Sequence, residues 1–238
     1  PYLDQVNNHK LVTHCNTSKR YDQNVLKEYL AYKLMNIFTE QSFRVQLIEM
    51  NYIDTRKKTK PLERHAFLIE HIDIVCERNN CVEVENEKLS MKTIDTASMI
   101  RFSLFQLMIG NVDWTIPNLH NIKLMKSLDV RQHLLYAVPY DFDHAGLVNA
   151  SYAVNVRNPE IESVKTRVFA GLCYSKSAYQ KEIENFIAHK EEVFRLIDTF
   201  EGLDKRTKKE VRGYIEDFYQ TIARPDFYER HVERRCVE

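Results

Sequence analysis

Two stretches of this 238-residue chain place oxygen-rich side chains at the ends of short apolar runs. GNVDWTIPNLHNIKLM (110–125) offers Asp113, His120 and Asn121, and LLYAVPYDFDHAGLV (134–148) offers Asp141 and Asp143. The apolar runs 122–125 and 134–138 read as two strands around a polar turn. In an antiparallel hairpin the beginning of one strand and the end of the other lie together, so His120 and Asn121 are expected beside Asp141 and Asp143. Two carboxylates and an amide carbonyl are hard oxygen donors, suited to Mg²⁺ on nucleotide phosphates rather than to Zn²⁺. An Asp-Phe-Asp after a strand is, alone, ordinary turn chemistry. Its combination with the preceding loop and a buried helix carries the inference. His120 is read as a loop-fixing histidine next to the site, ahead of a direct catalytic role.

The elements that must position these groups follow from periodicity. TASMIRFSLFQLMIG (96–110) is apolar on nearly every side, a buried helix closed by Gly110. Upstream, HKLVTHC (9–15) alternates as a strand with Lys10 and Val12 on one face. A helix is signalled from Asp22 to about Phe38, with Glu28 spaced helically from Val25, Tyr32 and Met35. SFRVQLIEMNYID (42–54) and RHAFLIEHID (64–73) read as a hairpin around a basic turn. The polar text of 77–92 reads as a connection, with a lobe boundary at 76–86. Late in the chain, one amphipathic helix carries Ile183 to Phe200. Another carries Val211 to Ile222, capped by Asp204 and stopped by Pro225.

The two loop segments resemble the catalytic and metal loops of kinase-like phosphotransferases, most closely the spore-coat kinase family CotH and related bacterial families. The resemblance runs in order over roughly residues 9–225, and its specific motifs are VDWTIPNLHNIKLM and VPYDFDHAG. It implies an α+β, two-lobed protein-kinase-like fold: a small strand-rich N-lobe over 1–80, read as truncated, and a mainly helical C-lobe over 81–238. It implies Asp113 as the catalytic carboxylate, Asn121 and Asp141 as metal ligands, and Asp143 as a further ligand or a loop support. It also implies Lys10 on an early strand paired with Glu28 on the following helix, as cofactor-binding residues with His120 nearby. ATP and Mg²⁺ are the implied cofactors. Asp113 and Asn121 stand eight residues apart where kinases have about five. Asn118 has the shorter spacing, but Asn121 opens the strand. No glycine precedes Gly110, so a glycine-rich phosphate loop lies upstream or is dispensed with.

Composition narrows the classes. Lys plus Arg and Asp plus Glu number 34 each, so no global field draws the chain to nucleic acid. The basic turn at Arg56, Lys57, Lys58 and Lys60 has no aromatic platform and reads as a solvated hairpin tip. No apolar run reaches the roughly 20 residues of a membrane span. Five scattered cysteines have no metal or redox spacing, and their odd number excludes a complete disulfide framework. The chain opens on Pro1 and reads as a fragment or processed chain, which leaves an exported or a cytoplasmic location open. The expected activity is ATP- and Mg-dependent phosphoryl transfer, with a protein hydroxyl favoured and a small molecule also open as acceptor. The rivals are a non-catalytic nucleotide- or partner-binding module and AMP transfer on the same scaffold.

Overall fold

The structure is a computed structural model that describes residues 9–85, 90–155, 160–161 and 163–237. The chain start and position 86 of the expected lobe boundary lie outside them. The fold is α+β, with two small antiparallel sheets and six α-helices among the described residues.

The first sheet has the order β1-β3-β2, formed by β1 (Lys10–Val12), β2 (Val45–Tyr52) and β3 (Leu62–Ile69). Pairing of Lys10 with Ile69 and of Val12 with Phe67 turns the Lys10 and Val12 side toward the core, while Leu11 is exposed. The β2–β3 tip folds around Asp54, which accepts the N–H groups of Arg56, Lys58 and Thr59. Helix α1 (Lys19–Phe38) packs its buried face against this sheet and against the later helices. Tyr32 meets Phe67 edge-on at 5.6 Å, and Phe38 stacks on Phe186 at 4.0 Å. The main core therefore runs without a break past residue 80, from Val25 to Val232.

Three readings of the sequence need correction. The second hairpin strand ends at Ile69 rather than continuing to residue 73. Ile72–Arg78 is a helix, α2, because His71 accepts the Asp73 N–H as its cap and Ile72, Val75 and Cys76 form one buried face. The segment read only as a connection contains strand β4 (Cys81–Glu83), whose partner lies some forty residues away in the chain. The helix read across Ile183 to Phe200 is two, α4 (Lys176–Ala188) and α5 (Lys190–Thr199), because His189 leaves helical geometry and its ring bonds the Asn185 carbonyl at 2.8 Å.

Helix α3 (Thr96–Ile109) lies between two cores and ends at Gly110, whose φ of 68° is a left-handed cap that glycine adopts without strain. Ile100, Leu104 and Phe105 face the main core, and Met99 and Phe102 face the second, beneath Trp114, Ile122 and Leu124. The second sheet, β4-β5-β6, is completed by β5 (Ile122–Ser127) and β6 (Leu135–Pro139), with Ile122 opposite Pro139. Helix α6 (Lys205–Ile222) begins as expected at Asp204, which accepts the Thr207 N–H at 2.7 Å. A disulfide, Cys173–Cys236, ties the end of the chain back to the segment before α4. No helix of the described residues is long and apolar enough to cross a membrane.

Candidate functional site

The β5–β6 register brings the two loop segments together. Tyr140 N donates to Asn121 O at 3.1 Å, joining the start of β5 to the end of β6. Asn121 and Asp141 both have left-handed backbones, φ 55° and 63°. Asn and Asp tolerate that region better than other residues with a Cβ.

The loop before β5 folds back on itself. Thr115 and His120 exchange backbone hydrogen bonds at 3.0 Å, and the turn between them closes the extra residues that separate Asp113 from Asn121. Asp113 is held on both oxygens. His120 Nε2 lies 2.8 Å from Oδ1, and since a carboxylate can only accept, Nε2 donates. Asn121 Nδ2 donates to the Asp113 carbonyl at 2.8 Å and to Oδ2 at 3.2 Å. The Asn121 N–H₂ is thus engaged, and its carbonyl oxygen is the end able to face a cation. Asn118 is exposed and accepts the Thr115 hydroxyl, so it takes no part in this cluster.

Across from the loop, Lys10 reaches in from β1. Its ammonium lies 3.7 Å from Asp141 Oδ2 and 4.7 Å above the Tyr140 ring. The expected partner, Glu28, lies deeper, and Lys10 acts on it through space. Glu28 is buried on α1, accepts the Phe142 N–H and leaves Oε1 without a partner. Burial raises the Glu28 pKa well above the usual carboxylate range, and Asp141 and Asp143 raise it further. Asp141 is raised as well, first by burial, with Lys10 opposing and Asp143 and Asp113 adding. Asp143 accepts the phenol of Tyr152, whose own pKa is raised by burial and by that carboxylate. Four carboxylates therefore act on one another in this region, and Lys10 is the cation within ion-pair distance of Asp141.

A cleft of about 360 Å³ adjoins this cluster between the two sheets. Lys10, Phe43, Ile69 and Ile72 line one side, and Lys123 and Tyr140 line the other. Its size falls in the range of small-molecule sites.

Two positioning residues escaped the sequence reading. Tyr32, one turn after Glu28 on the same face of α1, accepts the Asp141 N–H at 2.8 Å through its hydroxyl and tilts its ring onto Phe142 at 4.7 Å. Its spacing from Glu28 was the available signal, but core packing accounted for that spacing equally well. Asn111 was also missed. It is buried and accepts the Asp113 N–H at 3.0 Å, which sets the start of the loop.

No curated protein matches the chain. The family model described as CotH kinase protein matches residues 48–234, a span that holds Asp113, His120, Asn121, Asp141 and Asp143 and begins after Lys10 and Glu28. Because that span is most of the chain, the protein belongs to the CotH kinase protein family.

Proposed function

We propose that the chain is a two-lobed, kinase-like phosphotransferase that binds Mg-ATP in the cleft between its sheets and transfers the γ-phosphoryl group to a hydroxyl, with a protein Ser or Thr favoured. In this reading residues up to about 80 form the small lobe and the remainder the helical lobe. One observation carries it: the β5–β6 register joins Asn121 to the end of β6, where the half-buried Asp141 lies 3.7 Å from Lys10 and meets the repelling charges of Asp143 and Asp113. A bound divalent cation relieves such repulsion.

The donor set fits magnesium. Asp141, Asp143 and the Asn121 carbonyl are hard oxygens. Among the described residues, no group of three or more His, Cys, Asp or Glu could hold a metal ion. Magnesium commonly binds through one or two carboxylates together with substrate phosphates, and needs no all-protein cage. The ion would supply charge neutralisation of the phosphates. Lys10 binds phosphate oxygens from β1, and the apolar faces of Phe43, Ile69 and Ile72 exclude water from the base. Asp113 orients the acceptor hydroxyl and takes its proton, while His120 and Asn121 keep its carboxylate in place.

The test combines binding with label transfer. Millimolar ATP should raise the melting temperature only when Mg²⁺ is present. Label should reach an acceptor from γ-labelled ATP and not from α-labelled ATP. Transfer from the α position would replace the reading with AMP transfer, binding without transfer would leave a nucleotide-binding module, and no Mg-dependent shift would remove the nucleotide altogether.

A further inference from the structure

A second cleft, of about 850 Å³, opens where the first turn of α1 meets the first turn of α6, and it shares no lining residue with the cleft between the sheets. Helix N-termini present backbone N–H groups and the positive end of the helix dipole, which favours anions. The side chains point the same way once each acid is followed to its partner. Asp22 accepts the His65 N–H at 2.7 Å and faces its ring at 3.0 Å. Asp204 caps α6, and Glu210 pairs with Arg206 at 2.9 Å.

The remaining cations make no direct ion pair with these acids, although Glu210 and Asp204 act on Lys27 through space. Lys27 donates to the carbonyl of Val148, and Arg64 to the carbonyls of Glu63 and Thr17, all neutral acceptors. Lys19 and Arg20 make no ion pair among the described residues. Five cations, Lys19, Arg20, Lys27, Arg64 and Arg206, thus line the cleft against the three carboxylates of Asp22, Asp204 and Glu210, an excess of two positive charges. Burial, the largest influence, lowers the Lys27 pKa to about 8, as expected for an ammonium drawn out of water.

An independent observation marks the cleft as built for a ligand. Asn24 lines it, is 6 % exposed, and its Nδ2 has no acceptor. A buried amide donor left without an acceptor is costly, so a polar occupant is the natural partner. Arg64 Nε is buried and unpartnered in the same way.

We propose that this cleft is a binding site for a phosphate dianion, most simply a phosphomonoester whose phosphoryl oxygens take the Asn24 amide and the Arg64 and Lys27 donors. Two negative charges match the excess of two positive charges in the lining better than one carboxylate does, and the volume leaves room for the group that bears the phosphate. The site stands apart from the nucleotide reading and survives its failure.

The test uses the full chain with phosphoserine, inorganic phosphate, and sodium chloride at matched ionic strength. Calorimetric titration should show saturable phosphoserine binding that chloride does not reproduce. Lys19→Gln with Arg20→Gln changes only exposed side chains and should weaken binding by about tenfold, the product of two modest surface charge contacts. Asn24→Asp keeps the shape, places a carboxylate toward the ligand, and should abolish binding. Phosphoserine binding tighter than inorganic phosphate assigns the site to a phosphate carried on a larger molecule, and equal affinity assigns it to the free anion. Absence of saturable binding of either at millimolar concentration, or parental affinity in both variants, would overturn the proposal.

Discussion

The hydroxyl of Tyr32 on α1 accepts the backbone N–H of Asp141 at 2.8 Å, fastening a left-handed residue of the loop after β6 to the helix that carries Glu28. Tyr32 is almost fully buried, with its ring between Phe67 and Phe142. Tyr32→Phe keeps the ring and deletes only the acceptor. The expected outcome is a loss of about 1–3 kcal/mol in chemical denaturation, since a half-buried N–H then lacks a partner. Mg-ATP should also bind more weakly, because the strained backbone of Asp141 loses its tether. A parental denaturation midpoint would mean that water replaces the hydroxyl at no cost.

Asp113 and Asp141 should fail differently. Asp113 is held by His120 and Asn121 in the loop after α3, whereas Asp141 faces Lys10 at the end of β6. Asp113→Asn is expected to retain Mg-ATP binding and lose transfer by about 10²- to 10⁴-fold, as for a general base. Asp141→Asn should weaken Mg-ATP binding itself, since Asp143 then meets the phosphates with less cation to offset the repulsion. Calorimetry on both variants decides it: equal loss of affinity in both, or none in either, would show the roles to be misassigned.

The raised Glu28 pKa has a consequence for stability against pH. Burial, then Asp141 and Asp143, holds this carboxyl protonated to higher pH in the folded chain than in the unfolded one. The folded state therefore binds more protons above the unfolded carboxylate pKa of about 4.3, and stability falls as pH rises through that value toward the folded pKa. The raised pKa of Asp141 acts in the same direction. Glu28→Gln removes the larger contribution. Urea denaturation of parent and variant at several pH values should show the variant gaining on the parent as pH rises from about 5 toward neutrality. A gap that closes with rising pH would refute the assignment.

The Cys173–Cys236 disulfide should be a main support of the chain end. It spans 63 residues of sequence, beside hydrogen bonds from Cys173 N to Val237 O at 3.0 Å and from Val237 N to Gly171 O at 2.9 Å. Loop-closure entropy for that span predicts a loss of about 4 kcal/mol when both cysteines become serine. Cys76 and Cys81 are buried, and burial raises the Cys76 pKa to about 11, which keeps it a poor nucleophile for exchange. The check is the denaturation midpoint with and without dithiothreitol: the parent should fall to the level of the double variant on reduction, and an unchanged midpoint would rule out the bond as a support.

The elements around the candidate site were legible in the text of the chain because their signals are local. The apolar run of α3 with Gly110 behind it, the two strand-sized runs after it, and the Asp and Asn residues at their ends each depend on neighbours a few positions away. Periodicity and turn chemistry act over that range. Register then followed from the hairpin, since consecutive antiparallel strands leave little choice of which ends meet. The capping of α6 by Asp204 was equally local.

Tertiary structure alone decided which distant residues meet. Tyr32 and Asp141 are 109 positions apart, and Lys27 and Val148 are 121 apart. Lys10 makes its close contact with Asp141 and acts on Glu28 only through space, because β1 pairs with β3 and ends over the loop after β6 while Glu28 lies on the buried face of α1. β4 is three residues long and has no period to read, so it exists as a strand only through its pairing with β5. The disulfide and the cleft between α1 and α6 are also products of chain return. Local propensity contains no term for contacts of this kind: they form because the packed core holds the elements in place, and the energy that fixes them comes from burial shared across the whole chain.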